Sequence, residues 1–235
     1  MLGARMRMVA SQLGYQELVI ADSPAAYWPL DEGSGASSFA SRAGLATALA
    51  ITGSVSSGQP PLIGVGHSVR LASAADYLGV SNSVVADRSA LTLEVWVKFG
   101  VSPTISNQVI VSRGYDGSDY SLSLSLNSGL FSVQVVYTSP TVAQTNCVST
   151  IAPTTGSIYH LVGVWNPGSY LRLYVNGSQA KNVTTSASGM RSDSSGFFVG
   201  RSSHGGDDKT VDEIAAYGYA LSAAKVAAHY AARAA

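Results

Sequence analysis

The sequence predicts an all-β protein in which two antiparallel sheets form a sandwich, with a short N-terminal arm before it and a helix at its C-terminal end. Three observations predict this fold. Several segments alternate apolar and polar residues with a period of two, as half-buried strands do. Short turns rich in glycine, asparagine and serine join neighbouring segments, which favours antiparallel hairpins over crossover helices. An alanine-rich tail of high helix propensity follows the last strand.

The alternation is clearest in three segments, LTLEVWVKF (91–99), SLSLSL (121–126) and YLRLYV (170–175). Successive side chains of a strand point to opposite faces, so each of these segments presents one apolar face to a core. Further candidate strands are NQVIVSR, GLFSVQVVY, IYHLVGVWN, GFFVGRS and TVDEIAAY. The serine-, glycine- and alanine-rich residues 36–68 lack this pattern, and we expect a long connection with one or two short strands there.

The two ends of the chain are expected to be helical. We interpret residues 1–22 as an arm and residues 23–235 as the sandwich domain. A short helix in GYQELVIADSP should end before Pro24, because a residue before proline disfavours the helical conformation. The closing helix is predicted over about 222–233, where Ser222 is a suitable N-cap and Leu221 and Val226 are spaced for a hydrophobic staple.

The composition excludes some classes of function. Charged residues make up 12% of the chain, against roughly 25% in an average soluble domain, so small polar residues must cover the surface, as in β-rich extracytoplasmic or particle-surface proteins. The formal net charge is zero, which argues against a nucleic-acid partner. The sequence contains neither the apolar core of a signal peptide nor an apolar stretch of about 20 residues that would span a membrane. The single cysteine, Cys147, allows no intrachain disulfide, and we expect it to be buried in a strand.

Four segments carry a resemblance to a known family: AYWPLDEGSG, LTLEVWVKF, YHLVGVWNPGSYLRLYVNG and VDEIAAYGYALSAAKVAAHY. In this order they resemble the first strand, a central strand, a hairpin, and the last strand with its closing helix in the concanavalin A-like superfamily, specifically in its laminin-G-like jelly rolls. The resemblance extends over residues 25–230. It implies a two-sheet antiparallel jelly-roll sandwich of the concanavalin A-like type.

The opening VIADSPAAYWPLDE is similar to the openings of tail and other structural proteins of bacteriophages. This resemblance implies a non-enzymatic virion component, such as a minor tail, decoration or fibre-like protein, which is assembled in the host cytoplasm without a signal peptide. Residues 1–22 would then anchor the chain to other virion proteins. We expect copies of the chain to form a homo-oligomer on the particle and to display the jelly roll outward.

The acidic residues of the predicted strands do not indicate an enzyme. Glycoside hydrolases of this fold resemble one another in a Glu-x-Asp-x-Glu strand, which places two carboxylates on one face, whereas LTLEVWV offers Glu94 alone. Asp31–Glu32 and Asp212–Glu213 are adjacent pairs, and adjacent side chains of a regular strand point to opposite faces. We therefore predict no enzymatic activity, with a glycoside hydrolase as the disfavoured alternative.

Two interpretations of the acidic pairs are open. In the jelly roll that the chain resembles, the first and last strands are neighbours, which would bring Asp31 towards Asp212. One interpretation is a structural calcium ion held by these two residues, since several members of the superfamily carry one near this edge and carboxylates are calcium ligands. The alternative, which needs no cofactor, is that Asp212 accepts hydrogen bonds from backbone amides in a turn and that Glu32 pairs with an arginine.

Sugar binding is the other function that the sequence suggests. Trp96, Tyr170 and Tyr174 fall on the polar phase of their strands, so we expect them on an exposed or concave sheet face, where they would contact host-surface glycans. Asp207 and Asp208, in the glycine-rich segment HGGDDKT, would bind sugar hydroxyls or calcium. The alternative is that the aromatic residues pack under loops or on a neighbouring subunit and that the acidic loop is solvated. A carbohydrate-binding module or lectin of bacterial origin is the corresponding alternative function.

Overall fold

The computed structural model describes residues 14–44, 47–81, 90–101, 108–114, 120–139, 143–186, 188–191, 196–201 and 208–234. Helix α1 (Tyr15–Ala21) precedes the strands, and α2 (Ala223–Ala231), with a 3₁₀ turn at Ala232–Ala234, follows them. The strands in chain order are β1 (Ala26–Trp28), β2 (Ser38–Phe39), β3 (Ala43–Gly44), β4 (Leu49–Thr52), β5 (Ser56–Gln59), β6 (Ser68–Leu71), β7 (Tyr77–Val80), β8 (Leu91–Phe99), β9 (Val109–Arg113), β10 (Leu122–Asn127), β11 (Leu130–Ser139), β12 (Ala143–Val148), β13 (Ile158–Asn166), β14 (Tyr170–Val175), β15 (Ser178–Thr184), β16 (Gly189–Met190), β17 (Phe197–Val199) and β18 (Lys209–Tyr217).

These strands form two antiparallel sheets, which confirms the predicted all-β sandwich. Sheet I has the order β15-β14-β13-β8-β18-β1-β3, with β6 also paired to β18 and β5 paired to β6. Sheet II has the order β12-β11-β10-β9-β17-β7-β4-β2, with β16 paired to β11. The first and last strands are neighbours, as the resemblance implies, because Trp28 of β1 lies opposite Ile214 of β18.

The space between the sheets is filled by the apolar phase of the alternating strands. In β8 this phase includes Leu93, Val95 and Val97, all buried in the central core. Trp28 and Phe197 pack together in that core, with their ring centroids 5.0 Å apart and their planes tilted by 33°. Burial of this apolar area is the main stabilising contribution, at roughly 25 cal/mol per Å².

Part of the outer face of sheet I, including β8, is also buried, under the two helices. A second apolar cluster contains Tyr15 and Val19 of α1, Val226 of α2, and Trp96 of β8. The opposite phase of β8 therefore faces a second core instead of solvent. Tyr27 and Trp28, adjacent in β1, are divided between the two cores, since Trp28 lies in the central one and Tyr27 in the one under the helices.

Both predicted helices are present. Helix α1 ends before Pro24, and the hydroxyl of Ser222 caps α2 by accepting a hydrogen bond from the backbone N–H of Lys225 at 3.3 Å. Leu221 and Val226 are both buried in the cluster under the helices. Because α1 is packed on sheet I, the second half of the predicted arm is part of the fold. Residues 1–13 lie outside the described residues, and the anchoring role of the arm stays a prediction.

Two further expectations can be compared with the structure. The described part of residues 36–68 contains four short strands, β2 to β5, and the first residue of β6, rather than the one or two short strands expected. Strands of two to four residues are too short to show alternation in the sequence. Cys147 is buried in β12, as predicted, and burial raises the pKa of its thiol to about 11. Within the described ranges, neither helix has the length and apolar character needed to cross a bilayer.

Candidate functional site

Two of the three aromatic residues predicted as sugar platforms on sheet I are covered. Trp96 and Tyr174 are each 1% exposed, so the expectation that they lie on an exposed face is wrong. Trp96 stacks on His160 at 4.7 Å and on Tyr230 of α2 at 5.8 Å between ring centroids. The alternation in β8 predicted correctly that Trp96 faces away from the central core. Nothing in the sequence indicated that α2 would cover that face of the sheet.

The other three predicted ligand residues lie in different places. Tyr170 is half-buried, and the guanidinium carbon of Arg172 lies 3.6 Å from its ring centroid. Asp208 forms a two-pronged ion pair with Arg70, with distances of 2.7 and 2.9 Å. Asp207 lies outside the described residues. The structure does not bring Tyr170 and Asp208 together in one site, and the role of all three residues in ligand binding stays a prediction.

The centre of the covered face of sheet I is a buried carboxylate, Glu94 of β8, with no exposed surface. It accepts hydrogen bonds from the hydroxyls of Tyr15 at 2.8 Å and Tyr217 at 3.0 Å. His160 Nε2 lies 2.7 Å from Glu94 Oε1, and His229 Nδ1 lies 3.0 Å from the same oxygen. Every partner is itself packed in the protein, so this carboxylate is satisfied internally.

The charges of this network follow from its contacts. Burial alone would raise the pKa of Glu94, but the adjacent His229 and His160 outweigh it and hold the pKa well below its ordinary value. Burial alone would lower the pKa of His229, but Glu94 and Asp22 outweigh it, so that the pKa is raised. Since His229 Nε2 lies 3.1 Å from Asp22 Oδ2, these contacts assign His229 as an imidazolium between two carboxylates. The network joins α1, α2 and sheet I, and its members are buried apart from Asp22, whose side chain is 18% exposed.

The acidic pair of β18 departs from regular strand geometry. The pairing of β18 with β8 shifts between Asp212 and Ala215, and Glu213 has a left-handed φ of 52°. This bulge turns both carboxyl groups towards the helix-covered side, where Asp212 accepts from the backbone N–H of Leu62 at 2.9 Å and Glu213 from the hydroxyl of Tyr27. The prediction that the two side chains point to opposite faces is therefore wrong for this pair.

Glu213, which is 2% exposed, connects this acidic cluster to α1. Burial raises its pKa from the ordinary 4.5 to about 7, against the opposing hydrogen bonds from Tyr27 and Gln16. Gln16 Nε2 donates both to Glu213 Oε1 at 2.9 Å and to Asp31 Oδ2 at 3.1 Å. Burial, followed by the charge of Glu213, also raises the pKa of Asp212. The cluster holds α1 to the edge of the sheet through Gln16.

The surroundings of Asp31 consist mainly of hydrogen-bond donors. They are the amide of Gln16, the guanidinium of Arg42 at 3.1 Å and the backbone N–H of His67 at 3.2 Å. Calcium takes six to eight oxygen ligands, and the described part of the chain holds no group of three or more His, Cys, Asp or Glu side chains suited to a metal ion. This donor set does not fit calcium at Asp31, and a shared ion with Asp212 stays a prediction from the resemblance.

The alternative interpretation of the acidic pairs agrees better with the contacts. Asp212 accepts a backbone amide hydrogen bond from Leu62, as that interpretation requires. That interpretation expected an arginine to pair with Glu32, but Arg42 pairs with Asp31 instead. Glu32 accepts a hydrogen bond from the backbone N–H of Ala40 at 2.7 Å. Asp31 and Glu32 thus have separate partners, in agreement with the prediction that they form no dyad.

An open groove of about 370 Å³ lies on the outer face of sheet II. Its aromatic wall consists of Tyr77 of β7 and Phe198 of β17, with ring centroids 6.2 Å apart in an edge-to-face arrangement. The guanidinium carbon of Arg201 lies 4.4 Å from the Phe198 centroid and 5.2 Å from the Tyr77 centroid. Tyr77 and Arg201 are half-buried, so part of each remains accessible to a ligand.

Glycines and one hydroxyl position this group. The ring of Phe198 lies across Gly79, where an added Cβ would be 2.6 Å from its Cδ1 atom. After β17 the chain turns at Gly200, whose φ is +82°, and the hydroxyl of Tyr120 donates to the carbonyl of Arg201 at 3.0 Å. We call Tyr77, Phe198 and Arg201 the aromatic–arginine site. It combines aromatic surface with one charged group in a groove of the size that small ligands occupy, roughly 300–1,000 Å³.

Sequence reasoning missed the aromatic–arginine site. Tyr77 and Phe198 come from strands of four and three residues, β7 and β17, which are too short to show alternation, and Arg201 follows β17 in the chain. Phe198 and Arg201 lie in GFFVGRS, which was recognised as a strand but not as a ligand surface. A usable signal was the glycine at position 79, since a glycine inside a strand often marks the close approach of another group.

The fold is shared with several solved binding domains. The receptor binding domain of botulinum neurotoxin C/D mosaic serotype superimposes with a TM-score of 0.69 at 14% identity, over 89% of this chain and 51% of that chain. The binding domain of Paraclostridial Mosquitocidal Protein 1 gives 0.66 at 14% identity, over 89% and 52%. The ligand binding domain of botulinum neurotoxin serotype D, solved in complex with N-acetylneuraminic acid, gives 0.66 at 12% identity, over 91% and 52%. The chain thus spans about half the length of these structures.

Family membership rests on the sequence itself. No protein with a curated description matches the chain significantly. Residues 72–227 match the laminin-G family model that is described as the concanavalin A-like lectin/glucanases superfamily. This region begins directly after β6, extends into α2 and includes the aromatic–arginine site. The chain belongs to the concanavalin A-like lectin/glucanases superfamily.

Proposed function

We propose that the chain is a non-enzymatic, glycan-binding jelly-roll domain that is displayed on a bacteriophage particle. The observation that carries the glycan-binding part is the aromatic–arginine site on the open face of sheet II. Aromatic rings pack against the C–H faces of sugar rings, and a small number of polar groups then fixes their orientation. Several solved domains of the same fold are described as receptor binding domains, which supports a binding role for this one.

The carboxyl groups support a role without catalysis. Glycoside hydrolysis needs two carboxyl groups about 5–9.5 Å apart on either side of a bound sugar. Glu94 is fully buried and accepts hydrogen bonds from tyrosines and histidines, while Glu213 accepts from Tyr27 and Gln16. Both groups are engaged in holding helices on sheet I.

Display on a virion is supported by the sequence VIADSPAAYWPLDE, which is similar to the openings of bacteriophage structural proteins. In this proposal residues 1–13 contact other virion proteins, since residues 15–21 are already packed on sheet I as α1. Several copies on one particle would convert weak sugar contacts into a stable attachment. A free bacterial lectin is the alternative, and it would use the same aromatic–arginine site.

Glycan binding is tested on an array of bacterial and animal glycans with the fluorescently labelled full chain. We expect a defined set of glycans to bind, and Tyr77→Ala to reduce binding about tenfold or more, which corresponds to about 1.4 kcal/mol. Tyr170→Ala, at the half-buried tyrosine of sheet I, is the comparison: retained binding assigns the site to sheet II, and lost binding would assign it to Tyr170 instead. Absence of binding to every glycan by the folded wild-type chain would refute the glycan-binding role.

Particle location is tested by mass spectrometry and immunogold labelling of purified particles from a host that produces this chain. The chain is expected in the particles, and deletion of residues 1–13 should leave a folded domain that no longer enters them. If the intact chain is found only outside particles, the virion proposal fails and the lectin alternative remains. Normal incorporation of the deletion variant would refute the anchoring role of the arm.

A further inference from the structure

We infer that an open pocket beside the C-terminal end of α2 binds small amphipathic carboxylates, in which an apolar chain or ring carries one carboxylate group. The pocket has a volume of about 400 Å³, within the range of small-ligand sites, roughly 300–1,000 Å³. It lies on the helix-covered side of sheet I, and the inference does not depend on the proposed glycan-binding function. We call it the Arg233 pocket, and its lining includes Leu62, Ile63, Trp96, Ile158, Tyr230 and Arg233.

The walls of the Arg233 pocket are apolar. Leu62 and Ile63, in the connection between β5 and β6, are buried. Tyr230 of α2 stacks on Trp96 with an angle of 12° between the ring planes. Ile158, the first residue of β13, is 40% exposed. An apolar chain or ring in the pocket would cover the exposed surface of Ile158, and removing that surface from water favours binding.

Of the described residues that line the pocket, Arg233 alone is charged. Its guanidinium carbon lies 4.0 Å from the ring centroid of Tyr230, and its Nη1 atom donates to the Tyr230 carbonyl at 2.8 Å. No carboxylate of the described residues pairs with it. A guanidinium has five N–H donors and binds a carboxylate through two parallel hydrogen bonds. The exposed Arg233 therefore has donors left for the carboxylate of a ligand.

The indole of Trp96 adds partial positive charge to the same pocket. Its Nε1 atom is buried, and it has no hydrogen-bond acceptor in the part of the chain that the structure describes. Buried N–H groups are nearly always paired, so this one is unusual. Because no acceptor offsets the charge of this N–H group, it attracts an anion in the pocket that the indole lines.

The carboxylates beneath the pocket are covered and partly neutralised. Asp212 lies opposite Trp96 in the pairing of β18 with β8, but it is buried and accepts from the backbone N–H of Leu62. Burial raises the pKa of Asp212, which lowers its negative charge. Glu94 is adjacent to the imidazolium of His229. Neither carboxylate is among the residues that line the pocket.

Two further carboxylates restrict where an anion can lie. Glu17 and Glu213 line an adjacent cavity that shares Ile63 and Gly64 with the Arg233 pocket. They disfavour an anion at that end, so the carboxylate of a ligand belongs at Arg233. One guanidinium balances one carboxylate, whereas a phosphate monoester carries a charge of about −1.5 to −2 at neutral pH.

The experiment titrates small carboxylates and their neutral primary amides into the isotope-labelled full chain, followed by NMR. The probes are octanoate, phenylacetate and cinnamate. We expect at least one carboxylate to bind about tenfold or more tightly than its amide, which corresponds to about 1.4 kcal/mol, and to shift the signals of Trp96 and Ile158. Equal affinity of acid and amide overturns the inference. So does the absence of binding by all three carboxylates at millimolar concentration, or a set of shifts confined to residues outside the pocket.

Two arginine variants locate the charge. Arg233→Gln should reduce the affinity for the carboxylate to that for its amide. Arg172→Gln is the matched control, because it removes an arginine that lies over a tyrosine elsewhere on sheet I, and it should change neither affinity. Loss of carboxylate binding in Arg172→Gln but not in Arg233→Gln would overturn the assignment.

Ile158→Ser tests the apolar wall. It should weaken the carboxylate and its amide by the same factor, about threefold or more, because both lose apolar contact, and thermal unfolding checks that the variant is folded. Added NaCl should lower the affinity of the wild type for the carboxylate and leave that of Arg233→Gln unchanged. Unchanged affinities in folded Ile158→Ser would mean that the ligand lies elsewhere, and the inference would fail.

Discussion

A single backbone conformation decides how Glu213 behaves. In a regular strand its side chain would lie on the opposite face from that of Asp212, but the bulge and the φ of 52° place both on the helix-covered side. There burial raises the pKa of Glu213 to about 7. The folded protein therefore binds a proton at this position more tightly than the unfolded chain does. The contribution of Glu213 to stability is fully present below about pH 4.5 and is lost as the pH rises through about 7.

Replacement of Glu213 by glutamine should remove this dependence. The quantity to compare is the free energy of unfolding of Glu213→Gln minus that of the wild type. This difference should increase by up to about 3 kcal/mol between pH 4 and pH 8, because the pKa of Glu213 rises from 4.5 in the unfolded chain to about 7 in the folded protein. Urea unfolding followed by tryptophan fluorescence at each pH measures this difference. A flat difference for Glu213→Gln would contradict the assignment.

At the level of elements, the two helices are joined through Asp22. This residue caps the C-terminal end of α1 and contacts His229 and Lys225 of α2. His229 in turn contacts Glu94 of β8. The ends of the described chain, which are far apart in sequence, thus stabilise each other on sheet I.

Asp22→Asn tests this joint. The variant should lose about 1.5–3 kcal/mol of unfolding free energy, the range for a hydrogen bond to a charged group, and the pKa of His229 should fall in an NMR titration. Lys225→Gln should cost less than about 1 kcal/mol, because the Lys225 side chain is 44% exposed and exposed ion pairs contribute little. Equal losses in the two variants would mean that the contact with His229 is unimportant.

The elements also show how far the sequence predicts the structure. Strands β8, β10 and β14 were predictable because apolar residues that face the central core alternate, in the sequence, with polar or aromatic residues on the other face. Strands β2 to β5 were not, because their position depends on pairing with distant strands. The same limit applies to the candidate site, since Tyr77 and Arg201 are adjacent only through the pairing of β7 with β17. The burial of Trp96 also depended on a tertiary contact, the packing of α2.

At the level of the whole molecule, the sandwich needs strands that precede residue 72. The family match covers residues 72–227, yet Trp28, Phe39 and Leu49 belong to the central core. Strand β1 also pairs with β18, and β4 pairs with β7. The core is therefore completed by the first 71 residues.

A fragment of residues 72–227 should accordingly fail to fold. Deleting a buried tryptophan or phenylalanine side chain alone costs about 3–5 kcal/mol, and total stability is only about 5–15 kcal/mol. We expect the fragment to show poorly dispersed amide signals in NMR spectra and no cooperative thermal transition, whereas residues 14–235 should show both a dispersed spectrum and a single transition. A cooperatively folded fragment would contradict this account of the core.

Because both helices cover sheet I, the ends of the described chain and the aromatic–arginine site lie on opposite faces of the sandwich. Gly14 and Ala234, the two ends of the described chain, lie beside the helix-covered face, while the aromatic–arginine site lies on the opposite outer face, on sheet II. A support attached at either end would therefore hold the domain from behind and leave its groove directed towards the surrounding medium. Copies mounted side by side would share that direction, so an approaching cell surface would meet a row of parallel grooves without any reorientation of the domains.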